Sequence, residues 1–240
     1  MSPREMSISS VVVSTTASFH GRTFNTLSVS RGTDNTTRYL PALTDITFIR
    51  HGDSLALGHA VDADTAAVIV EPIQGEGGVR IPDKAWLANV QEACREHGAL
   101  LIIDEIQTGF CRTGKFFALE HSSHSIEPDI LTMGKGIAGG FPFAAFSVSA
   151  QVAGKLERDD HGGTYCGNPL GCAVSAAVVN FLVAENIADR VASSGSVLIK
   201  GLQGLQQEFP AIISAVRGAG LLCALQFHEP GLSRELTRCC

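Results

Sequence analysis

Four short stretches of the chain are apolar from end to end: Ala66 to Glu71 (AAVIVE, closed by an acid and stopped by Pro72), Leu100 to Asp104 (LLIID), Ile130 to Met133, and Phe143 to Val148. A strand with one wet face alternates apolar and polar residues. A strand that does not alternate must be covered on both faces. Such strands belong to a mostly parallel sheet held between helices, so the segments joining them should supply the helices. Asp83 to His97 does so. It carries Trp86, Leu87, Val90, Ala93 and Cys94 at i, i+1, i+4, i+7 and i+8, with Asp83 placed as an N-cap and Gly98 as the stop. Strand, helix, strand is the grammar of an α/β protein, in which ligand chemistry collects at the carboxyl ends of the strands. A further strand is predicted around Ile8 to Ser14.

The second half reads differently. Asn168-Pro169 is an N-cap followed by proline in the first turn, opening a helix that runs to Glu185. That helix is apolar around its whole circumference, which predicts burial. Ile187 to Phe209 is a more polar helix with Leu198, Leu202 and Leu205 on one face, closed by Pro210; strand-like runs follow near Ala215 to Val216 and Leu221 to Phe227. The change of character after Glu185 divides the chain into a larger unit, 1–185, and a smaller one, 186–240.

Composition narrows the function classes. Apolar residues make up 45% of the 240 positions and charged residues 18%, enough to build a core. The net charge of −6 argues against bulk binding to nucleic acid or anionic membrane. No uninterrupted apolar run reaches the roughly 18 residues of a membrane span. The apolar run within Met1 to Thr16 is too short for a signal peptide, although a transit peptide stays open. Seven scattered cysteines without a CxxC pair read as reduced thiols of a cytoplasmic protein. Cys94 and His97 have a ligand-like spacing, but no second pair completes a metal site.

Gly134, Gly136 and Gly139 spell G-x-G-x-x-G after the strand Ile130 to Met133. A dinucleotide-binding helix must begin inside that motif, and Pro142 would break it. No Ser or Thr follows Lys135, so it is not a phosphate loop either. Lys135 itself admits two readings: a surface lysine on a loop, or an amine whose pKa is lowered by poor solvation and which can form a Schiff base. Asp104 favours the second. A carboxylate ending an apolar strand needs a cation or donors, and a pyridinium N–H is one such partner, as in pyridoxal phosphate sites. A structural salt bridge or helix cap is the alternative.

The runs SFHGRT (Ser18 to Thr23), VEPIQGEGG (Val70 to Gly78), IIDEIQTGFCRTG (Ile102 to Gly114), PDILTMGKGIAGGFP (Pro128 to Pro142) and HGGTYCGNPLGCA (His161 to Ala173) together resemble the class III aminotransferases of the ornithine, acetylornithine and 4-aminobutyrate type. The resemblance covers nearly the whole chain. It implies a type I pyridoxal-phosphate transferase fold and the transfer of an amino group from an amino donor to a 2-oxo acid. It further implies that Lys135 forms the Schiff base with pyridoxal 5'-phosphate and shuttles the substrate α-proton, and that Asp104 holds the pyridine nitrogen protonated. Gln107 would lie near the ring hydroxyl and Phe19 on the ring face. Thr164 would reach the phosphate of the neighbouring subunit in a homodimer with a shared active site. Arg22 would bind a substrate carboxylate, and Glu76 would pair with a second, switchable arginine.

The sequence departs from the family pattern at both ends. Family chains are considerably longer. The Gly-Ser/Thr-rich phosphate loop upstream of SFHGRT and the arginine partner of Glu76 have no counterpart here. The expectation that follows is weak cofactor binding and little or no transaminase activity by this chain alone, and the alternative reading is a catalytically weak or inactive remnant acting, if at all, as a binding module.

Overall fold

The computed structural model describes residues 9–30 and 45–239. Six strands form one sheet in the order β2-β1-β3-β4-β5-β6: β1 Val11–Thr15, β2 Ile46–Ile49, β3 Thr65–Val70, β4 Leu100–Asp104, β5 Ile130–Met133 and β6 Ala145–Val148. The first five are parallel and β6 runs antiparallel on β5. The α/β, mostly parallel sheet expected from the unbroken apolar runs is therefore present. β4 and β5 have the predicted bounds. β3 starts and ends one residue early, because Glu71 has already left the ladder. The first strand is Val11–Thr15, three residues shorter at its start than expected and one longer at its end; Ile8 lies outside the described residues.

Helix α1 spans Phe24–Ser28 and α2 spans Ser54–Ala60, where Asp53 Oδ1 accepts the Ala56 N–H at 3.0 Å. The chief helix of the sheet, α3, begins at Trp86 and not at Asp83. Asp83 instead closes the turn before it, accepting the Ala85 N–H at 2.8 Å. The predicted apolar face holds: Trp86, Leu87, Val90 and Cys94 are buried against Val13, Val68, Val70, Leu101 and Ile103. Burying each aliphatic side chain of this size contributes about 1.5–3 kcal/mol. Gly98 ends α3 in the left-handed region (φ 73°), where a side chain would be strained.

After the short α4 (Ala150–Ala153), α5 spans Pro169–Ala184. Asn168 Oδ1 caps it by accepting the Gly171 N–H at 2.7 Å. The predicted burial of α5 does not hold. One side packs on Ile137, Ala138 and Phe143, but Leu170, Phe181 and Val183 are 61%, 56% and 65% exposed. Apolar composition says a face seeks cover; among the described residues nothing covers this one. α6 (Ile187–Glu208) packs on β7 (Ile213–Ala219), which pairs antiparallel with β8 (Leu222–Phe227) in a separate two-stranded sheet; α7 (Leu232–Cys239) follows. No single helix among the described residues is long and apolar enough to cross a membrane.

Candidate active site

Parallel strands bring their carboxyl ends to one edge of the sheet. There Glu71 follows β3, Asp104 closes β4 and Lys135 follows β5. Together with Phe19, His20, Gly21, Ile106, Gln107 and Thr108 they line a cavity of about 120 Å³. Two larger cavities lie elsewhere. One of about 380 Å³ sits at the opposite, amino ends of β4 and β5, beside Leu100 and Asp129. Another of about 230 Å³ lies between Pro82, Leu87 and Gly218. Neither is lined by any of the sequence-predicted site residues.

Asp104 is only 5% exposed and its carboxylate is held by three donors. Oδ1 accepts the Ile106 N–H at 3.0 Å and the Thr132 hydroxyl at 3.1 Å. Oδ2 is 2.8 Å from His20 Nδ1. These contacts answer the expectation that a carboxylate ending an apolar strand needs donors. Gln107 lines the same cavity, and its position depends on a missing side chain. A Cβ on Gly75 would come within 2.2 Å of Gln107 Oε1, so only glycine leaves this amide where it is. Phe19 presents its ring to the cavity, with its N–H donated to Glu71 Oε2 at 3.2 Å.

Lys135 stands on a short 3-10 turn, Lys135–Ala138, whose Ile137 and Ala138 are buried under α5. Its φ is 44°, a conformation that costs a residue with a side chain about 1 kcal/mol or more and that gathers at functional sites. The amine is exposed, so the poor solvation expected for it is not supplied by the described residues. It is the only cation lining the cavity among them.

Three expected site residues lie outside the cavity lining. Arg22 is exposed, its guanidinium 5.9 Å from the Phe19 ring centroid. Glu76 is exposed on the loop between the bridged residues Gln74 and Arg80. That loop is tied to β7, since Arg217 Nε donates to Gly78 O at 2.8 Å. Thr164 is exposed in the turns before α5.

His20 and Glu71 escaped the sequence reading. The signals were available: His20 adjoins Phe19 in SFHGRT, and Glu71 ends its apolar run as Asp104 ends its own. Burial pushes Glu71 up to about 7, with Asp104 adding to the rise and the Phe19 and Gly75 N–H groups opposing it. Glu105, wholly buried, is also pushed up to about 7 by burial; Thr108 and the Leu119 and Ala118 N–H groups oppose this, and Asp104 reinforces it.

A carboxyl whose folded pKa lies above its unfolded one stabilises the fold fully below the unfolded value, and that contribution is lost as pH rises through the folded value. The window here runs from about 4.5 to about 7. Each group changes stability by at most about 1.4 kcal/mol per pH unit within it. Denaturant titrations are therefore expected to show lower stability at pH 8 than at pH 5. Glu71→Gln should flatten that slope and be the more stable protein at pH 8; equal slopes in parent and variant would refute the assignment.

The aminotransferase class-III family model matches residues 3–238. The ornithine aminotransferase of Oceanobacillus iheyensis is 40% identical over 220 residues, 91% of this chain and 54% of its own length. The acetylornithine aminotransferase of Methanopyrus kandleri is 40% identical over 211 residues, 88% of this chain and 53% of its own. Among solved structures, an ornithine aminotransferase of Toxoplasma gondii, described with partial occupancy of PLP at its active site, superposes with a TM-score of 0.84 at 38% identity. That match covers 91% of this chain and 51% of the other. The chain spans about half the length of the curated relatives it matches. With its sheet, its strand-end cavity and a family match running almost from end to end, the chain belongs to the class III aminotransferases.

Proposed function

We propose that the chain carries the catalytic core of a pyridoxal-phosphate-dependent aminotransferase, moving an amino group from an amino acid or ω-amino donor to a 2-oxo acid. The observation behind this is the convergence of Lys135, Asp104, Gln107 and Phe19 on one cavity at the carboxyl ends of β1, β4 and β5. The cavity suits the pyridine ring: an aromatic face on one side, a buried carboxylate for the ring nitrogen, and an amide in the glycine cradle for the ring hydroxyl. When bound, the cofactor supplies an electron sink for the substrate α-carbon. Lys135 Nζ would hold the cofactor covalently and, once the incoming amino donor displaces it, the freed amine would move the substrate α-proton to C4′. Asp104 holds the proton on the ring nitrogen. Arg22, a planar fork, suits a substrate carboxylate, and Glu76 is assigned to pair with a second, switchable arginine.

Thr164 is assigned to the phosphate of a neighbouring subunit, which fits its exposure and its absence from this chain's own cavity lining. The assembly is then a homodimer with shared sites. Residues 1–185 form the cofactor-binding unit and 186–240 part of a smaller one, in a cytoplasmic enzyme. A second reading, a weakly binding remnant, is favoured by one observation: Lys135 is the sole cation lining the cavity among the described residues, leaving little to hold a phosphate.

One titration separates the two. If the chain carries the activity, pyridoxal phosphate added to the purified chain gives a saturable visible band and amino transfer from ornithine or 4-aminobutyrate. A weak band without transfer would establish the remnant. No saturable band at all would overturn the assignment of the cavity.

A further inference from the structure

His20 has no part in the roles above, yet its side chain is 1% exposed and its Nδ1 lies 2.8 Å from Asp104 Oδ2. A carboxylate only accepts, so Nδ1 carries the proton. Nε2 is buried with no hydrogen-bond partner. An N–H there would be an unsatisfied buried donor, so Nε2 holds a lone pair and the ring is the Nδ1–H tautomer.

The ring is fixed from behind. The His20 N–H donates to Ser30 Oγ at 2.7 Å, and Ser30 Oγ donates to Thr26 O at 2.7 Å. The Ser14 and Ser18 hydroxyls both donate to Val29 O, tying the loop to the end of α1. At Asp104, Oδ1 has already accepted two hydrogen bonds, from Ile106 and Thr132. Oδ2 has accepted one, from His20, and keeps one lone pair beside the cavity.

We propose that His20 is a positioning residue: its Nδ1–H turns the Asp104 carboxylate so that the remaining lone pair of Oδ2 meets the ring nitrogen of the cofactor. This deepens the reading of the cavity as a pyridoxal phosphate site and rests on it. SFHGRT then supplies two things from adjacent residues, a ring face from Phe19 and the orientation of the ring-nitrogen acceptor from His20. Nothing else among the described residues reaches Oδ2.

The test uses the full chain and three variants. Asn at position 20 places an amide nitrogen near the Nδ1 position; Gln places it near Nε2; Phe keeps the volume with no donor. Two probes are titrated, pyridoxal phosphate and its 1-deaza analogue, in which carbon replaces the ring nitrogen. His20→Phe and His20→Gln should each weaken pyridoxal phosphate about tenfold and leave the deaza analogue nearly unchanged. His20→Asn should recover most of the loss. A merely structural role would weaken both probes alike and would overturn the proposal, as would undiminished pyridoxal phosphate binding by His20→Phe.

Nitrogen-15 NMR of the ligand-free parent gives an independent reading that survives even if a variant fails to fold. A protonated Nδ1 with a bare Nε2 is expected; the reverse tautomer refutes the proposal. A parent that binds neither probe overturns the cavity assignment and the proposal with it. A parent that binds pyridoxal phosphate, with variants equally affected on both probes, overturns the proposal alone.

Discussion

Replacing Lys135 is expected to cost the cofactor-supplemented protein about 10²–10⁴-fold in amino transfer, the usual contribution of a positioned proton-transfer group. Covalent attachment should be lost with it. The chain has five lysines, at 84, 115, 135, 155 and 200, and only Lys135 lines the cavity that holds Asp104, Gln107 and Phe19. Borohydride reduction followed by peptide mass mapping should therefore find the cofactor mass on Lys135. Mass on any of the other four, with Lys135 unmodified, would refute the assignment.

The backbone adds a prediction of its own. Lys135 sits at φ 44°, where glycine is unstrained. Lys135→Gly should thus remove activity while raising stability by about 1 kcal/mol. Lys135→Ala should remove activity without that gain. Calorimetry on the two variants reads the conformational cost, and the loss of activity in both is what separates a reactive lysine from a surface one.

How far the sequence disclosed this arrangement depended on the kind of information required. Largely apolar runs located β4 and β5 to the residue, because each run is bounded by a change in polarity or a glycine. Phe19, Lys135 and the neighbouring pair Asp104 and Gln107 lie far apart in the chain, and the structure brings all four to one cavity. Gln107 and Phe19 came only from the family resemblance, whereas Asp104 and Lys135 were legible because one ends an apolar strand and the other sits in a glycine-rich turn. His20 was not, since its significance lies across the sheet: the contact with Asp104 spans 84 positions. Glu71 carried a readable signal, an acid closing an apolar run, that went unused. β2 was missed because ITFI is a four-residue edge strand with Thr47 and Phe48 alternating outward and inward, too short for periodicity. The burial predicted for α5 failed for a different reason. An all-round apolar helix states a demand for cover, and the sequence cannot say what meets it.

Asp104→Asn is expected to keep the cofactor and lose turnover. Asn preserves the volume, and its Oδ1 can still accept from Ile106 N–H and Thr132. Its Nδ2 then replaces Oδ2 and meets the His20 Nδ1–H donor to donor. The pair can relax only if the histidine proton moves to Nε2, the buried nitrogen that has no partner. Even after that relaxation, position 104 offers the ring nitrogen an N–H where it offered a lone pair, so the proton on the ring has no acceptor. Stacking on Phe19 and covalent attachment to Lys135 are untouched, so binding should weaken only about tenfold, the same loss expected when His20→Phe frees the carboxylate. What is lost acts where charge develops during proton removal, so the effect falls on kcat. Removing one preorganised electrostatic group of this kind costs on the order of 10²–10³-fold. Steady-state kinetics with saturating pyridoxal phosphate checks it: kcat should fall by that factor while the cofactor dissociation constant moves far less. Turnover near that of the parent would remove Asp104 from the mechanism. A loss confined to cofactor affinity would make it a binding residue and nothing more.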